Sequence, residues 1–482
     1  MNIKMVFSIL GRTLLIEAGL LLCPLLVGII YGENSWWHYL IPIGGLLAIG
    51  LPLALLKIKD RSIHVKEGFV TVAFVWILMS LVGALPFVIS GAIPSYVDAL
   101  FETVSGFTTT GATILDGEAI ESLSYSLQFW RLFTHWIGGM GVLVFVLAIL
   151  PGYNSGIMHI FRAESPGPSA GKLVSKLTTT ARILYGIYIL MTVVEAIMLI
   201  CGGMSVYDGI VHAFSTAGTG GFGIKGDSIA SYSTYHQIVI AVFMFLFGIN
   251  FNLYYLILIG NFKKAIKSEE LIVYVIIVVG ATLAIALNIL SLCENFGDAL
   301  RLSFFQVTSF SSSTGFTTTD FNKWPALSQA ILVLLMIVGA CGGSTGGGIK
   351  VSRAIILIKS GVSDIRRMLH PRSVVSTKVE GELLNKETER NVHTYFILWA
   401  VIVIVCTILL SIDCNDILTN LTATISCIGN MGPIISLTDY AGNFAFYSPY
   451  CKILLSFVML VGRLEIFPMV LMFAPRTWRR GS

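Results

Sequence analysis

Charged residues are scarce in this chain. Asp, Glu, Lys and Arg make up 12% of the 482 residues, whereas soluble proteins carry roughly 25%. Hydrophobic residues make up 55%, and the mean hydropathy is +0.83. Apolar runs of about 20 residues, the length that crosses a bilayer, fill most of the sequence. The composition therefore excludes a soluble protein and predicts one integral membrane domain.

Motifs for catalysis and cofactor binding are also missing. The eight cysteines are scattered without a Cys-x-x-Cys pair, so they indicate neither a zinc site nor a disulfide framework. The eight histidines form no His-Glu-x-x-His set, and no Gly-x-Gly-x-x-Gly motif lies in a strand–helix unit. We therefore predict no enzymatic activity, no cofactor and no nucleic-acid partner. Any nucleotide sensing would have to come from another subunit.

Ten apolar segments are long enough to cross a bilayer, and four short stretches between them are not. Non-helical backbone at membrane depth is tolerated only where protein buries it or where it lines a water-filled path. The short stretches therefore predict re-entrant loops along a pathway. The ten segments lie near 7–31, 36–57, 68–90, 124–150, 180–202, 232–260, 270–292, 326–358, 393–412 and 446–474.

The order of these segments predicts an all-α integral membrane fold. Two leading helices precede four parallel repeats, each a helix, a pore loop and a second helix, around a central pore. Because each repeat crosses twice, the repeats do not alternate in topology as those of inverted-repeat secondary transporters do. The predicted boundaries are 1–62 for the leading helices, then 63–165, 166–266, 267–378 (with a glycine-rich loop) and 379–482 for the repeats.

A run of hydroxyl or small residues leads into glycine in every repeat, after a short helical pattern that opens with Asp. Such runs are poor helix formers and suit an extended backbone whose carbonyls face a ligand. Four of them around one axis would form a ring of carbonyl oxygens that replaces the hydration shell of a monovalent cation. Aligned on one glycine each, they recur at steps of 109, 95 and 117 residues: Gly111, Gly220, Gly315 and Gly432.

The basic residues predict the orientation of the chain. With the N-terminus inside, most of the 31 Lys and Arg residues fall on the inner side, which is a strong positive-inside bias. Both termini are then cytoplasmic, and the inner connections 153–176 and 359–390 are either partner-docking surfaces or plain solvated linkers. An outer vestibule with acidic residues would concentrate cations. Its candidate carboxylates are Asp116, Glu118, Glu121, Asp227, Asp320 and Asp439.

A glycine cluster interrupts the second helix of the third repeat. Six of the ten residues from Gly339 to Gly348 are glycine, and each disfavours helix by roughly 1 kcal/mol relative to Ala. A phosphate-binding loop needs adjacent Gly-Lys, but Ile349 separates Gly348 from Lys350. The cluster therefore predicts a broken helix, either a mobile loop beneath the pore loops or a passive kink. The second helices of the other repeats are expected to run unbroken.

Arg463 lies deep in the last apolar segment. Intramembrane charges are costly and usually face the bundle interior or a wet cavity. We expect Arg463 to project toward the pore, where its charge would raise the barrier to cations. The alternative is a structural ion pair with a buried carboxylate such as Glu102 or Glu195. Arg131 and His135, four residues apart on one helix face, are expected either to pack in the core or to support the pore helices.

The segment order, the four loops, the cluster 339–348 and the run Val461-Gly462-Arg463-Leu464-Glu465 resemble the Trk/Ktr/HKT superfamily of cation transporters. The two leading helices and the length favour its TrkH-type branch, the membrane subunit of bacterial potassium uptake. The resemblance covers essentially residues 1–476. It implies potassium transport, with the ion as substrate rather than cofactor, in a multi-pass protein of the bacterial cytoplasmic (inner) membrane.

The resemblance also implies the site residues. The potassium ligands would be backbone carbonyls of Thr110 and Gly111, Thr219 and Gly220, Thr314 and Gly315, and Met431 and Gly432. The fourth loop departs from the pattern because Asn430 and Met431 replace hydroxyl residues, which predicts relaxed selectivity. The gate would comprise Gly342, Gly343, Ser344, Thr345, Gly346, Gly347, Gly348, Lys350 and Arg463.

The expected partners follow from the same resemblance. They are membrane lipid, a second copy of the chain in a homodimer, and a cytosolic, TrkA-like, nucleotide-binding regulatory subunit. Two alternatives stay open at this point. One is a sodium- or proton-coupled potassium symporter of the same fold, and the other is a secondary transporter for an organic substrate.

Overall fold

The computed structural model describes residues 3–56, 65–141, 177–370, 377–413, 416–436 and 443–474. Over these ranges the chain is almost entirely helical, which confirms the predicted all-α class. The exception is a β-hairpin in which Lys378–Val379 pairs antiparallel with Glu382–Leu383, Lys378 opposite Leu383. The leading helices are Ile3–Leu20, continued by Leu22–Ile30, and Trp36–Ala54.

Each repeat contains an outer helix, a pore helix and an inner helix, in that order. The repeats are numbered 1 to 4 along the chain, and their helices carry the same numbers. The outer helices are Val65–Gly83 (continued by Leu85–Ile89), Leu177–Cys201, Glu269–Asn288 and Lys386–Leu410; the pore helices are Tyr96–Phe107, Val206–Gly218, Phe296–Ser311 and Ile417–Gly429; the inner helices are Tyr125–Gly139, Thr234–Phe247, Ala326–Val338 and Pro449–Arg463.

Short elements connect these helices. Helical turns lie between the pore and inner helices of repeats 1 and 3, and a 3-10 turn ends outer helices 3 and 4. Three further helices continue inner helices 2, 3 and 4 after a break, and a short helix follows the first of them. The elements are Gly117–Ser122, Phe251–Leu258, Phe262–Ile266, Leu290–Leu292, Phe321–Lys323, Val351–Leu369, Ser411–Asp413 and Phe467–Phe473.

The four repeats close into a ring. Inner helix 1 packs on pore helix 2, inner helix 2 on pore helix 3, inner helix 3 on pore helix 4, and inner helix 4 returns to pore helix 1. This cyclic packing brings the C-termini of all four pore helices to one central axis. The predicted arrangement of four parallel repeats around a pore is therefore confirmed.

The expectation that only the third inner helix is interrupted is wrong. Inner helix 2 breaks after Phe247 and bends by 90°, and inner helix 4 breaks after Arg463 and bends by 119°. Counted from the helix N-caps, the breaks fall at the same level, beside the C-termini of the pore helices. At the break of inner helix 2, backbone of repeat 3 fills the space: the N–H of Cys341 bonds to the Gly248 carbonyl and the N–H of Phe251 to the Gly343 carbonyl.

Ten crossings were predicted, and the described residues account for them unevenly. Six helices are long and apolar enough to span a membrane, or eight if each bent pair counts as one span. The remaining two predicted crossings begin with inner helices 1 and 3, which are shorter. Inner helix 1 ends at Gly139, two residues before the described range ends at residue 141, and inner helix 3 stops at the glycine cluster.

Candidate cation pathway

Polar N-caps hold the pore helices at equivalent positions. Ser95, Ser205 and Asn295 each accept the N–H of the Asp three residues later, and Asp416 caps pore helix 4 through the N–H groups of Leu418 and Thr419. A capping side chain stabilises a helix by roughly 1 kcal/mol. The opposite ends, which carry the negative end of each helix dipole, converge on the axis and favour a cation there.

The four pore loops share one backbone conformation. Each contains a left-handed residue other than glycine, then one residue, then a glycine with positive φ. The left-handed residues are Thr109, Thr219, Ser313 and Asn430, with φ between 50° and 59°. The glycines two positions later are Gly111, Gly221, Gly315 and Gly432, with φ between 78° and 92°.

The alignment of Gly220 with Gly111 is therefore wrong by one residue. The structural equivalent of Gly111 is Gly221, and Gly220 corresponds to Thr110. The same register follows from the hydrogen bonds of Thr110, Gly220, Thr314 and Met431. Each of these residues donates its N–H to the carbonyl of a serine five positions earlier, at 2.9–3.0 Å. The predicted pair Thr219–Gly220 shifts to Gly220–Gly221 because two consecutive glycines made the sequence alignment ambiguous.

The middle residues of the four loops form a closed ring of carbonyls. A Cβ added to Gly111 would lie 2.0 Å from the carbonyl oxygen of Gly220, and one added to Gly221 would lie 2.1 Å from that of Thr314. The series continues from Gly315 to Met431 (2.1 Å) and from Gly432 back to Thr110 (2.6 Å). Each glycine thus makes room for a carbonyl of the next repeat, and no other residue fits. We call the ring, together with its four pore loops, the filter.

Polar groups behind the ring fix its position. Arg131 forms an ion pair with Glu102 at 2.6 Å, donates to the carbonyl of Gly223 and lies over the Phe222 ring. The Glu102 carboxylate also accepts from Thr113 Oγ1 and Ile114 N. The ring of His135 lies where a side chain on Gly220 would be. Arg131 and His135 therefore contact the filter loops of repeats 1 and 2, as their support role predicts.

The fourth loop is tied to the first by an amide. Asn430 Nδ2 donates to Thr110 Oγ1 at 3.0 Å and to the Met459 carbonyl at 2.9 Å. Asn430 is buried, and its side chain joins repeat 4 to repeat 1 at the end of the ring. The residue that departs from the hydroxyl pattern thus closes the ring, while Met431 supplies only its backbone carbonyl to it.

A cavity of about 800 Å³ opens on one side of the ring. The four positive-φ glycines form its floor, and the residues that follow them in the chain form its walls. Three of the predicted acidic residues, Asp116, Asp227 and Asp320, line it together with Lys225 and Lys323. Glu118 and Glu121 are not among the lining residues, and Asp439 lies outside the described residues. The vestibule is therefore mixed in charge.

The glycine loop, defined as residues 339–349, lies on the other side of the ring. Gly347 donates its N–H to Ser313 Oγ, and Gly348 donates to the Gly429 carbonyl at 3.0 Å. The loop also crosses to repeat 2, since Cys341 N–H bonds to the Gly248 carbonyl at 3.0 Å. Ala340, Cys341 and Thr345 are fully buried. Hydrogen bonds thus join the loop to the pore loop of its own repeat and to repeats 2 and 4.

Arg463 occupies a position where the other repeats have small residues. Counted from the N-cap of each inner helix, its equivalents are Gly139, Gly248 and Ala340. Its guanidinium donates to the carbonyls of Gly138 and Gly139 in repeat 1 and to the Thr345 carbonyl in the glycine loop. It also lies 3.3 Å from Thr109 Oγ1. Arg463 therefore bridges the filter, the loop and inner helix 1.

Two further basic residues follow the loop. Lys350 is buried and donates to the Gly346 carbonyl, and Arg353 forms an ion pair with Glu465 and lies 4.0 Å from the Tyr395 ring centroid. Glu102, one of the two carboxylates predicted as alternative partners of Arg463, forms its ion pair with Arg131 instead. The alternative with Glu195 stays a prediction. Lys350 and Arg463 thus lie beside the glycine loop, and Arg353 is paired with Glu465.

Comparisons with known proteins match nearly the whole chain. The family model "TrkH: Cation transport protein" matches residues 45–480. The Trk system potassium uptake protein TrkH of Salmonella typhimurium is 34% identical, over 99% of this chain and all of the relative. TrkG of Escherichia coli is 30% identical over 99% of both chains. The crystal structure of the potassium transporter TrkH from Vibrio parahaemolyticus superposes with a TM-score of 0.90 and 30% identity, covering 99% of this chain and all of that one.

Proposed function

This chain belongs to the TrkH family of cation transport proteins, and we propose that it takes up potassium through the carbonyl ring. The observation that carries the proposal is the closed set of Thr110, Gly220, Thr314 and Met431 carbonyls at the C-termini of four pore helices. Backbone carbonyls can replace the hydration shell of a monovalent cation, and the converging helix dipoles lower the cost of dehydration. Gly111, Gly221, Gly315 and Gly432 contribute the adjacent carbonyls and the space between repeats.

The ring residues argue for selectivity by backbone alone. Thr110, Gly220, Thr314 and Met431 have side chains of three different sizes, but their N–H groups make the same hydrogen bond. The position of each carbonyl is therefore set by its pore helix rather than by its side chain. Met431 contributes a backbone carbonyl, as the ring residues of the other three loops do. This supports an equal contribution of the four repeats to potassium selectivity.

The glycine loop acts as the gate in this proposal. It lies against the filter on the side away from the vestibule, and Lys350 and Arg463 place two positive charges beside it. A cation leaving the filter would meet the loop and these two positive charges, which are unfavourable to it. A passive kink would not need hydrogen bonds from the loop to Ser313 and Gly429. Gly342, Gly343, Ser344, Thr345, Gly346, Gly347 and Gly348 form the moving part.

The membrane setting and partners complete the proposal. The distribution of basic residues supports a bacterial cytoplasmic membrane protein with both termini in the cytoplasm. The curated relatives are named as parts of a Trk system, which supports a cytosolic TrkA-like regulatory subunit. We propose that the chain forms a homodimer in lipid and that the regulatory subunit docks on the inner connections. Of these, 153–176 lies outside the described residues.

Flux of rubidium-86 into liposomes that contain only this purified chain tests the proposal. We expect uptake that follows the potassium gradient, competes with potassium more than with sodium, and does not depend on a proton gradient at zero membrane potential. The reason is that the ring consists of backbone carbonyls, which do not titrate. Accumulation driven by the proton gradient would instead support the coupled symporter, and no competition by potassium would refute the proposed function.

A further inference from the structure

Glu270 belongs to none of the motifs described above, but its carboxylate holds both ends of the glycine loop. It lies in the first turn of outer helix 3 and is 9% exposed. Its Oε1 accepts the N–H of Gly342 at 2.7 Å and the N–H of Ser352 at 3.1 Å. Gly342 lies near the start of the loop, and Ser352 is the second residue of the helix that follows it. One oxygen atom therefore closes the loop at its base.

The same carboxylate reaches repeat 2. Asn250 Nδ2 lies 3.5 Å from Glu270 Oε2, in the break of inner helix 2. The neighbouring Phe251 N–H donates to the Gly343 carbonyl at 3.0 Å. Glu270 thus sits where the loop, the helix Val351–Leu369 and the break of inner helix 2 meet. Its negative charge is favourable at the N-terminus of that helix, which adds to the hydrogen bonds.

The β-hairpin holds the start of outer helix 3 from the other side. Glu380 Oε1 accepts from Ser268 Oγ at 2.8 Å and from the Glu270 N–H at 3.2 Å. The Glu380 N–H donates to Glu269 Oε2 at 3.2 Å. Glu380 itself is exposed at the hairpin turn, with a left-handed φ of 53°. A continuous set of contacts therefore runs from an exposed turn through Glu270 to the glycine loop.

We propose that Glu270 is a positioning residue that latches the glycine loop closed, and that the hairpin 378–383 controls this latch. Displacement of the hairpin by a docked protein would withdraw Glu380 from the start of outer helix 3. The Glu270 carboxylate would then leave Gly342 and Ser352, and the loop would lose the contact that ties its two ends. The inference rests on the proposed function, because it requires the glycine loop to be the gate.

Basal rubidium-86 flux in liposomes without any added subunit tests the latch. Glu270→Ala is expected to raise basal flux about tenfold, because hydrogen bonds to a charged acceptor are lost from the closed state. Glu270→Gln should raise it less, since the amide oxygen still accepts while the charge is gone. Glu387→Ala, an exposed carboxylate in the first turn of outer helix 4, is the matched control and should behave as the parent.

The hairpin is tested by Glu380→Asn. Asn tolerates the left-handed backbone but is too short to reach both Ser268 and Glu270. We expect increased flux, smaller than for Glu270→Ala, and no further increase in the double variant, because both residues act through one contact. Rubidium-over-sodium discrimination should be unchanged in every variant, whereas a general loss of structure would reduce it together with the melting temperature.

A protein with a shortened glycine loop separates the two proposals. If it leaks and the folded Glu270 variants do not, the latch is refuted and the gate stands. If it does not leak, the gate is refuted and the latch falls with it. Should Glu270→Ala fail to fold, Glu270→Gln and Glu380→Asn decide the question: raised flux supports the latch and parental flux overturns it.

Discussion

The backbone conformations of a few single residues determine the shape of the filter. In each loop a residue other than glycine adopts the left-handed conformation, which is tolerated at a strain of roughly 1–3 kcal/mol where the surroundings enforce it. The glycines two positions later cannot be replaced by another residue, because a Cβ would occupy the space that a carbonyl of the next repeat fills. If the ring selects potassium as proposed, we expect its selectivity to depend on these four glycines more than on the hydroxyl residues that make the loops recognisable in the sequence.

Gly221→Ala should reduce discrimination between rubidium and sodium by about tenfold or more. The new methyl group would lie 2.1 Å from the Thr314 carbonyl oxygen, so that carbonyl has to move away from the ion. A shift of 1.4 kcal/mol in relative ion binding corresponds to roughly tenfold. The measurement is rubidium-86 flux into liposomes at increasing sodium concentration.

Gly223→Ala is the control for this variant. It lies in the same loop, but a Cβ there would meet its nearest neighbour, Ser228 Cα, only at 3.5 Å. Its discrimination should match that of the parent. Unchanged selectivity in folded Gly221→Ala protein would show that the carbonyls of repeats 2 and 3 do not hold the ion.

At this scale the sequence predicts the type of site but not its full register. Gly111, Gly315 and Gly432 are each preceded by residues that fix the alignment. In repeat 2, Gly220 and Gly221 stand together, so the hydroxyl-to-glycine pattern fits either one. The serine five residues before each ring residue (Ser105, Ser215, Ser309 and Ser426) is visible in the sequence and would have resolved the choice.

The breaks in the inner helices are features of whole elements. They occur at one level in repeats 2, 3 and 4. Small residues, Gly248 in repeat 2 and Gly339 and Ala340 in repeat 3, follow the last residue of the helix, whereas in repeat 4 Arg463 stands at this level. The sequence revealed only the break with six glycines, because a single Gly248 or Gly462 is compatible with a continuous apolar helix. The glycine loop is the longest of these breaks, and it extends to the filter rather than turning away from it.

Gly347→Ala should raise the basal rubidium flux, because it should separate the glycine loop from pore helix 4. An added Cβ would lie 2.0 Å from the Gly429 carbonyl oxygen. Gly347 is not among the glycines with positive φ, so its backbone conformation is compatible with Ala. Relief of this clash requires the loop to separate from the filter. Rubidium-86 flux without added subunits is the measurement, and several-fold acceleration is the expected result.

Gly361→Ala provides the comparison within the helix that follows the loop. A Cβ at Gly361 meets nothing within 4 Å, so this change should leave flux unaltered and stabilise the helix by up to about 1 kcal/mol. Equal flux in folded Gly347→Ala protein and the parent would show that the loop does not occlude the pathway.

For the whole molecule, the critical junction is the seam between repeats 4 and 1, which are most distant in sequence. At the fourth position of the inner helices, Gln128, Gln237 and Gln329 each bind backbone carbonyls of the preceding loop. Lys452 takes this position in repeat 4 and instead pairs with Asp98 of pore helix 1 at 2.7 Å. The ring is therefore closed by an ion pair, assisted by Asn430.

Asp98→Asn should lower the melting temperature of the purified protein. Lys452 is 8% exposed, and loss of its partner leaves a largely buried ammonium group, a cost of about 1–3 kcal/mol. Asp320→Asn is the matched change at an exposed ion pair, in which Lys323 is 83% and Asp320 49% exposed. Its effect on the free energy of unfolding should stay below about 1 kcal/mol. If the two variants melt at the same temperature, the seam does not limit stability.

The overall architecture was predictable because it depends on features that a sequence states directly, namely segment length, hydropathy and repetition. The connections between repeats were not. The ion pair of Lys452 with Asp98 joins residues more than three hundred positions apart, and Glu270 contacts the glycine loop through backbone N–H groups that have no sequence signature. Such contacts exist only after the ring has closed.

The glycine loop belongs to one repeat but reaches the axis that all four share. It bonds to the Gly248 carbonyl of repeat 2 and the Gly429 carbonyl of repeat 4. Four identical copies of this loop would collide on that axis, so a tetramer of identical subunits has no room for such a plug. Joining the four repeats in one polypeptide allows repeat 3 to contribute the glycine loop and repeat 4 to contribute Arg463, which binds it. Covalent linkage is therefore the condition for an asymmetric closure of a nearly symmetric pore.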